Sequence, residues 1–523
     1  MKISSYLKVI TLLILFLFFL KIDFRITNEL KCCQDDFDYY SHASTIIEDF
    51  DFDYSNQFDS KSRFYKNDKI APIGFVGSGI FSAPFLGLGI LLDNIFSTNQ
   101  EILTFRKLMY SFSSVFYFFL ALFLIKESLD YNKKFSNIYS LAYFGSGLSY
   151  FAFERYSMTH VYEVFTCSLI IYLTIKYYDS SKQNNIYSFL LPFSILLGLL
   201  VRWTNYYLLL IPFIVLKLVL KKNPTISIYK DKLFFASVLF SVFLFGLMSK
   251  LIYGVVTFSP TYIYGAQHIG AEVIDELKFN IFGIFFEFLR DIINILFTQE
   301  FGIFWFSAVI FLGFSLSVIN LFNSSKALKL GYFLTIICFL QNFFIISIWN
   351  TTASSYGFRY LFSLIPLSII IIANTENKKL EKLYLKYLKY FSIIGILSVL
   401  FFETTINTQL SLVPVLNSFG IEAMYSQPKY LSGFFTSFLY LDTYLKIFAT
   451  SFFGSIAFKL LLIFFGTESL LSFLSKAGLG TNNKDFYDLI GKLEIITFDK
   501  FFILIIFSTL LVWFYLNKIY QKN

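Results

Sequence analysis

The sequence predicts an all-α polytopic membrane protein with about twelve transmembrane helices and an acidic first extracytoplasmic loop. Two observations carry this prediction. Of the 523 residues, 56% are hydrophobic and only 15% are charged, whereas a soluble domain carries roughly a quarter charged residues. The apolar residues also form long blocks with few charges, and a block of about 20 residues crosses a bilayer as a helix. The mean hydropathy of +0.64 agrees with this fold class.

The predicted spans follow from these apolar blocks. They are 6–22, 103–125, 138–153, 161–177, 187–201, 203–220, 233–253, 301–321, 331–349, 360–373, 391–402 and 501–516. The first is expected to be an uncleaved anchor, because no small-residue cleavage site follows it. Two more apolar stretches are ambiguous. Residues 70–95 are rich in Gly and Pro and fit a re-entrant or interfacial segment, and residues 447–465 carry Lys459 in their middle.

The basic residues predict the orientation. With the N-terminus inside, most lysines between spans fall in cytoplasmic loops, which is the positive-inside pattern. These residues are Lys126, Lys133, Lys134, Lys221, Lys222, Lys230, Lys232, Lys378, Lys379, Lys382, Lys386, Lys389, Lys518 and Lys522. We therefore expect a multi-pass protein of the cell inner (plasma) membrane with both termini cytoplasmic. The net charge of +8 is explained by topology and does not indicate a nucleic-acid partner.

The first predicted outside loop, residues 23–71, holds the clearest candidate for chemistry. Asp35, Asp36 and Asp38 lie within four positions, and mutually repelling carboxylates need water, a cation or a helix N-terminus. The functional interpretation is a general base or a metal site at the membrane surface. The alternative is a solvated acidic loop that also satisfies the topology rules.

Four basic or titratable residues fall at the same predicted outer surface: Arg155, His160, Arg202 and Arg359. Ionisable groups near the hydrocarbon are costly, so they tend to face a cavity or a partner. They predict a cationic site for a phosphate or diphosphate. The alternative is a set of Arg side chains that anchor helix ends beside interfacial Tyr and Trp.

The acidic loop and the later arginine-containing segments occur in the same order as motifs of the GT-C membrane glycosyltransferases and resemble them. That superfamily includes protein O-mannosyltransferases and lipid A aminoarabinose transferases. Asp35 and Asp36 are followed by Tyr39 and Ala43 at the spacing of that superfamily's first outside loop. Further similar segments are 71–85, the hairpin 198–202 with Arg in place of Lys, 301–307 with Ala308 in place of Pro, and 356–366. The resemblance covers about the first three quarters of the chain.

The resemblance implies a GT-C-like catalytic module over residues 1–402, with residues 403–523 as a C-terminal region that ends in a last span. It implies an inverting glycosyltransferase that moves a sugar from a polyprenyl-phosphate donor to an extracytoplasmic glycan, lipid or protein. Asp35 would be the base, and Asp36 would orient Asp35 or the acceptor. Arg202 and Arg359 would bind the donor phosphate, and His160 would bind the phosphate or the sugar. The remaining possible substrate-binding residues are Asp38, Tyr39, Arg155 and Asn205.

We expect no cofactor, although a divalent metal at Asp36 and Asp38 is the alternative that oxygen ligands leave open. Two other functions also stay open. A polysaccharide polymerase or ligase would use Arg and His in a later outside loop. A flippase or transporter of lipid-linked saccharides would need charges near the bilayer midplane, whereas most charges here lie at the predicted surface.

Overall fold

The computed structural model describes a mostly helical chain. The described residues are 34–58, 64–66, 69–96, 105–153, 155–179, 185–222, 231–259, 263, 281–297, 302–348, 358–407, 461–462 and 464–476. The predicted spans 6–22 and 501–516, and most of the C-terminal region, lie outside them.

The elements follow one another as helices with one small hairpin of strands. They are α1 (Gln34–Ser44), β1 (Phe64–Lys66), β2 (Lys69–Ala71), α2 (Gly77–Phe96), α3 (Phe105–Asp130), α4 (Asn137–Phe144), α5 (Leu148–Phe153), α6 (His160–Asp179), α7 (Asn185–Val201), α8 (Ile211–Leu218), α9 (Lys232–Tyr253), α10 (Ile281–Phe297), α11 (Ile303–Phe306), α12 (Ala308–Asn323), α13 (Lys326–Ile348), α14 (Ile365–Ala373), α15 (Lys378–Asn407) and α16 (Thr467–Lys476). A π-helical turn, Thr45–Asp49, extends α1, and 3₁₀ turns at Tyr206–Leu210 and Arg359–Leu364 precede α8 and α14. β1 and β2 pair antiparallel.

Four of the described helices, α2, α3, α9 and α13, are long and apolar enough to cross a membrane. Four more apolar helices in the described residues have only 10–17 residues, fewer than the roughly 20 that a span needs. The helices therefore indicate an all-α membrane protein, but the predicted count of about twelve spans does not fit the described part of the chain.

Breaks inside the predicted spans explain much of this difference. The stretch 138–153 reads as one apolar block, yet it divides into α4 and α5 at Gly145. A Cβ on Gly145 would collide with the backbone of Ser392 in α15, so the chain turns where another helix crosses it closely. The stretches 203–220 and 360–373 similarly begin as 3₁₀ turns before they become α-helical.

Two other stretches are longer helices than expected. Residues 70–95, predicted as an ambiguous re-entrant or interfacial segment, contain β2 and then the continuous 20-residue helix α2, which holds Pro84. The predicted span 391–402 is part of the 30-residue helix α15, which begins at Lys378 within the lysine-rich segment.

Different kinds of residue lie at the two ends of the helix bundle. At one end, called here the lysine end, Lys134 Nζ lies 3.1 Å from Asn374 Oδ1, and Lys222 Nζ lies 3.1 Å from the carbonyl of Tyr178. Tyr178 is near the last residue of the 20-residue helix α6, and His160 is the first. At 1.5 Å per residue the two are about 27 Å apart. The opposite end, called the site end, contains His160, Arg202 and Arg359 near the starts or ends of their helices.

The contact between α4 and α15 gives a test of this packing. A Cβ on Gly395 would collide with the carbonyl of Gly145, a backbone group that cannot move aside without shifting α15. We expect Gly395→Ala to lower the free energy of unfolding by about 1–3 kcal/mol, the usual cost of overpacking. The measurement is thermal unfolding of the purified protein in detergent.

Gly246→Ala in α9 is the matched control. Its Cβ would lie 3.3 Å from Cγ1 of the exposed Val256, which can shift toward solvent, so the change is expected to be neutral or slightly stabilising. Equal melting temperatures for Gly395→Ala and wild type would show that the α4–α15 contact is looser than described.

Candidate functional site

The two predicted catalytic carboxylates lie in the first turn of α1. Asp35 and Asp36 occupy a position where the unpaired N–H groups of a helix start favour negative charge. α1 packs closely along α2, because a Cβ on Gly79 would collide with the Cβ of His42. Glycine at position 79 therefore allows α1, which begins with the acidic turn, to pack closely against α2.

His42 fixes α1 to the segment that precedes α2. Its Nε2 donates to the carbonyl oxygen of Gly74 at 2.7 Å, and its Nδ1 accepts from the Tyr54 hydroxyl at 2.6 Å. The ring is 0% exposed. Burial lowers the pKa of His42 from 6.5 to about 4, although the bond to Gly74 opposes part of this shift. The imidazole is therefore neutral at pH 7.

Two predicted substrate-binding residues take part in the packing of α1. Asp38 is only 2% exposed. The ring of Tyr39 lies against Gly74, where a Cβ would be 2.6 Å from Tyr39 Cε1. By contrast, the side chain of Asp35 stays 30% exposed. Asp35 is thus the more accessible acid for a reacting group.

Asp36 is held by two neighbours from the segment between α5 and α6. Its Oδ2 lies 3.5 Å from Arg155 Nη2, and its Oδ1 accepts from Ser157 Oγ at 2.5 Å. The Asp36 side chain is 4% exposed. A buried carboxylate costs several kcal/mol unless it is paired, and here both oxygens have partners. This geometry connects α1 to the loop before α6.

Asp35 pairs with a residue far away in the sequence. Arg359 Nη2 lies 3.4 Å from Asp35 Oδ2, and the arginine side chain is 12% exposed. Arg359 begins the 3₁₀ turn before α14, and the preceding Phe358 has φ of 50°, in the left-handed region that is uncommon for a bulky residue. That turn directs the chain so that the guanidinium reaches α1.

Arg202 has a different partner, Glu163. Arg202 Nε lies 3.4 Å from Glu163 Oε1, and the same oxygen is 3.2 Å from His160 Nδ1. Asn205 Nδ2 donates to Glu163 Oε2 at 3.1 Å. The Glu163 side chain is 1% exposed. This carboxylate thereby gathers three residues that the sequence predicted for the site.

Tyr360 joins the two arginines that were predicted to bind phosphate. The Cζ atom of Arg202 lies 4.4 Å from the centre of the Tyr360 ring, and that of Arg359 lies 5.4 Å from it. A guanidinium within about 6 Å of an aromatic face is attracted to it. The shared ring therefore keeps two positive groups close together in spite of their repulsion.

The turn that carries Arg202 is fixed by aromatic stacking. Trp203 is 0% exposed and stacks on Phe75 at 4.6 Å and on Tyr253 at 5.7 Å between ring centres. Tyr253 in turn donates a hydrogen bond from its hydroxyl to the carbonyl of Pro72 at 3.1 Å. The segment after β2, the α7–α8 turn and the end of α9 thus form one support under the site.

The residues fit a divalent metal poorly. Within the described ranges no group of three His, Cys, Asp or Glu side chains is arranged to hold one. Both oxygens of Asp36 already accept from Arg155 or Ser157, so a metal at Asp36 and Asp38 would have to displace an arginine.

Comparison with known protein families, with curated proteins and with solved structures found no match for this chain.

The structure adds three residues to those that the sequence singled out: Ser157, Glu163 and Tyr360. A signal existed for Glu163, because it is the one acidic residue in the predicted span 161–177, and an acid in an apolar span indicates a paired or functional group. Tyr360 could be taken for an ordinary interfacial aromatic residue. Nothing in the sequence pairs Asp36 with Ser157.

The neutral state of His42 predicts a pH-dependent stability. Its pKa is 6.5 in an unfolded chain and about 4 here, so the unfolded chain binds the proton first as pH falls. The free energy of unfolding should therefore fall as the pH drops through 6.5 and level off below about 4. The expected loss from His42 is about 2 kcal/mol between pH 7 and pH 5. Unfolding by SDS in mixed micelles at both pH values measures it.

The control is His42→Gln, which keeps a polar side chain but does not titrate. Its stability should depend less on pH over the same interval. An identical pH dependence in wild type and His42→Gln would mean that folding does not lower the pKa of His42.

Proposed function

We propose that this protein is a membrane glycosyltransferase that moves a sugar from a polyprenyl-phosphate donor to an extracytoplasmic acceptor hydroxyl, with inversion. One observation carries the proposal: an accessible carboxylate, Asp35, lies 3.4 Å from Arg359, whose guanidinium shares the Tyr360 ring with Arg202. A base and a pair of phosphate-binding groups at one end of a helix bundle suit a donor whose phosphate lies at the bilayer surface.

In this proposal Asp35 is the general base. It takes the proton of the acceptor hydroxyl while that oxygen attacks the anomeric carbon. The bond from the anomeric carbon to the phosphate oxygen breaks on the opposite face, and polyprenyl phosphate leaves with the electron pair. Asp35 suits this role because its side chain is 30% exposed, whereas those of Asp36 and Glu163 are 4% and 1% exposed.

The departing phosphate gains negative charge, which Arg359 and Arg202 would stabilise. The two guanidinium groups lie against the same Tyr360 ring, which suits binding of one phosphate by both. When a phosphate binds Arg359, it competes with Asp35 for the same guanidinium. A carboxylate that loses a cationic partner becomes a stronger base.

The proposed orientation puts the site end outside and the lysine end in the cytoplasm, in line with the positive-inside pattern. The protein would then be a multi-pass protein of the plasma membrane, with both termini cytoplasmic. Residues 403–523, after the catalytic module 1–402, would include the region that recognises the acceptor. No cofactor is part of the proposal.

The base is tested by Asp35→Asn, which keeps the shape of the side chain but removes its charge. We expect transfer to fall by about 10²–10⁴-fold, the usual contribution of a general base. The measurement is the cell-surface glycan profile of a deletion strain complemented with the variant, with protein level and membrane insertion measured in parallel.

Asp51→Asn is the matched control in the same loop. Asp51 is exposed, and its Oδ1 accepts a local bond from the Asp53 amide at 3.0 Å. It should restore the wild-type glycans. Restoration by Asp35→Asn as well would remove Asp35 from the reaction.

The phosphate site is tested by Arg202→Ala. Farnesyl phosphate, a short isoprenyl phosphate without a sugar, should bind the purified variant about 10–100-fold more weakly, because a charge-assisted donor to the phosphate is lost. Arg106→Ala is the control, since Arg106 forms an exposed pair with Glu48 at 3.3 Å. Equal affinity of Arg202→Ala and wild type would exclude Arg202 from the phosphate site.

A further inference from the structure

The most unusual feature of the site end is a buried carboxylate beside groups that would bind an anion. Glu163 is 1% exposed and lies in the first turn of α6. A negative charge at this position should oppose phosphate binding, and burying it is costly unless it is paired. The groups that Glu163 contacts provide that pairing.

Glu163 offers two oxygens to three donors. Oε1 contacts Arg202 Nε at 3.4 Å and His160 Nδ1 at 3.2 Å, and Oε2 accepts from Asn205 Nδ2 at 3.1 Å. These donors come from α6 and from the α7–α8 turn. Since an ionised carboxylate accepts only, each contact fixes the partner's orientation.

The contact with His160 determines where its proton lies. Nδ1 must carry the hydrogen that points to Glu163, so Nε2 of the neutral ring is a hydrogen-bond acceptor. A phosphate is also an acceptor and cannot bond to that nitrogen. A sugar hydroxyl can, because it donates a hydrogen.

The contact with Glu163 also orients the guanidinium group of Arg202. Glu163 Oε1 contacts the guanidinium at Nε, at 3.4 Å. The Tyr360 ring, 4.4 Å from Cζ, restricts the plane of the guanidinium as well. The side chain is thereby oriented before any ligand binds, which lowers the entropy cost of binding.

We infer that Glu163 is a positioning residue that orients Arg202 toward the donor phosphate and sets His160 to accept a hydrogen bond from a hydroxyl of the donor sugar. This inference rests on the proposed glycosyl transfer. Of the two roles open to His160, it selects the sugar over the phosphate, and it gives Asn205 a supporting contact with Glu163.

The proton position is tested without any donor. The chain has three histidines, so ¹⁵N-histidine labelling gives few signals in solid-state NMR, and the signals lost in His160→Asn identify His160. We expect Nδ1 to be protonated and Nε2 to be unprotonated at pH 7. A proton on Nε2, or on both nitrogens, would overturn the sugar-hydroxyl role.

The positioning role is tested by Glu163→Gln with farnesyl phosphate as the probe. If Glu163 acted only through its charge, the variant would bind the phosphate more tightly, since an opposing negative charge is gone. If Glu163 positions Arg202, binding should weaken about tenfold, because the amide gives one acceptor oxygen to three donors. Tighter or equal binding would overturn the inference.

A second variant excludes a simple folding defect. In Glu163→Gln combined with Asn205→Asp, the glutamine amide can donate to the new carboxylate, and the negative charge returns to the pair. This combination should recover most of the lost affinity, and no recovery would contradict the positioning role. Glu48→Gln, the same change in the exposed pair with Arg106, should leave the affinity unchanged.

The two proposals can fail separately. If wild-type protein has the expected His160 proton position but does not bind farnesyl phosphate, the glycosyltransferase proposal fails while the Glu163 contacts stand. If the phosphate binds but Glu163→Gln does not weaken it, the positioning role fails and the proposed transfer stands.

Discussion

Pairing of opposite charges is the constraint on which the site end depends. Three arginines enter a region bordered by apolar helices, and each is paired with an acid: Arg359 with Asp35, Arg155 with Asp36, and Arg202 with Glu163. Unpaired, each charge would carry a large desolvation cost. Because the partners come from distant parts of the chain, these pairs also determine which segments meet.

The three pairs differ in how accessible their acids are. The Asp36 and Glu163 side chains are 4% and 1% exposed, so they suit structural and positioning roles. The Asp35 side chain is 30% exposed, and its 3.4 Å ion pair with Arg359 is long for a strong hydrogen bond. The site end therefore combines two buried, paired carboxylates with one that is more exposed to solvent.

The grouping of four charged residues could be predicted from the sequence. The positions of apolar blocks and lysines put Asp35, Arg155, Arg202 and Arg359 at one predicted surface, and all four lie at the site end. Their pairing could not be predicted, because it depends on the Phe358 turn and on the α7–α8 turn. The helix count also depends on tertiary contacts, since an apolar block such as 138–153 gives no sign that another helix will cross it at Gly145.

Cross-linking of α1 to the α14 turn tests the central claim, the convergence of Asp35 and Arg359, most directly. The chain would carry Asp35→Cys and Arg359→Cys, with Cys32, Cys33, Cys167 and Cys338 replaced by serine, and would be treated in native membranes with a short bismaleimide. The account predicts rapid cross-linking of this pair, and none when Arg359→Cys is exchanged for Lys222→Cys at the lysine end. If both cysteines react singly but do not cross-link, the base and the arginine do not share a site.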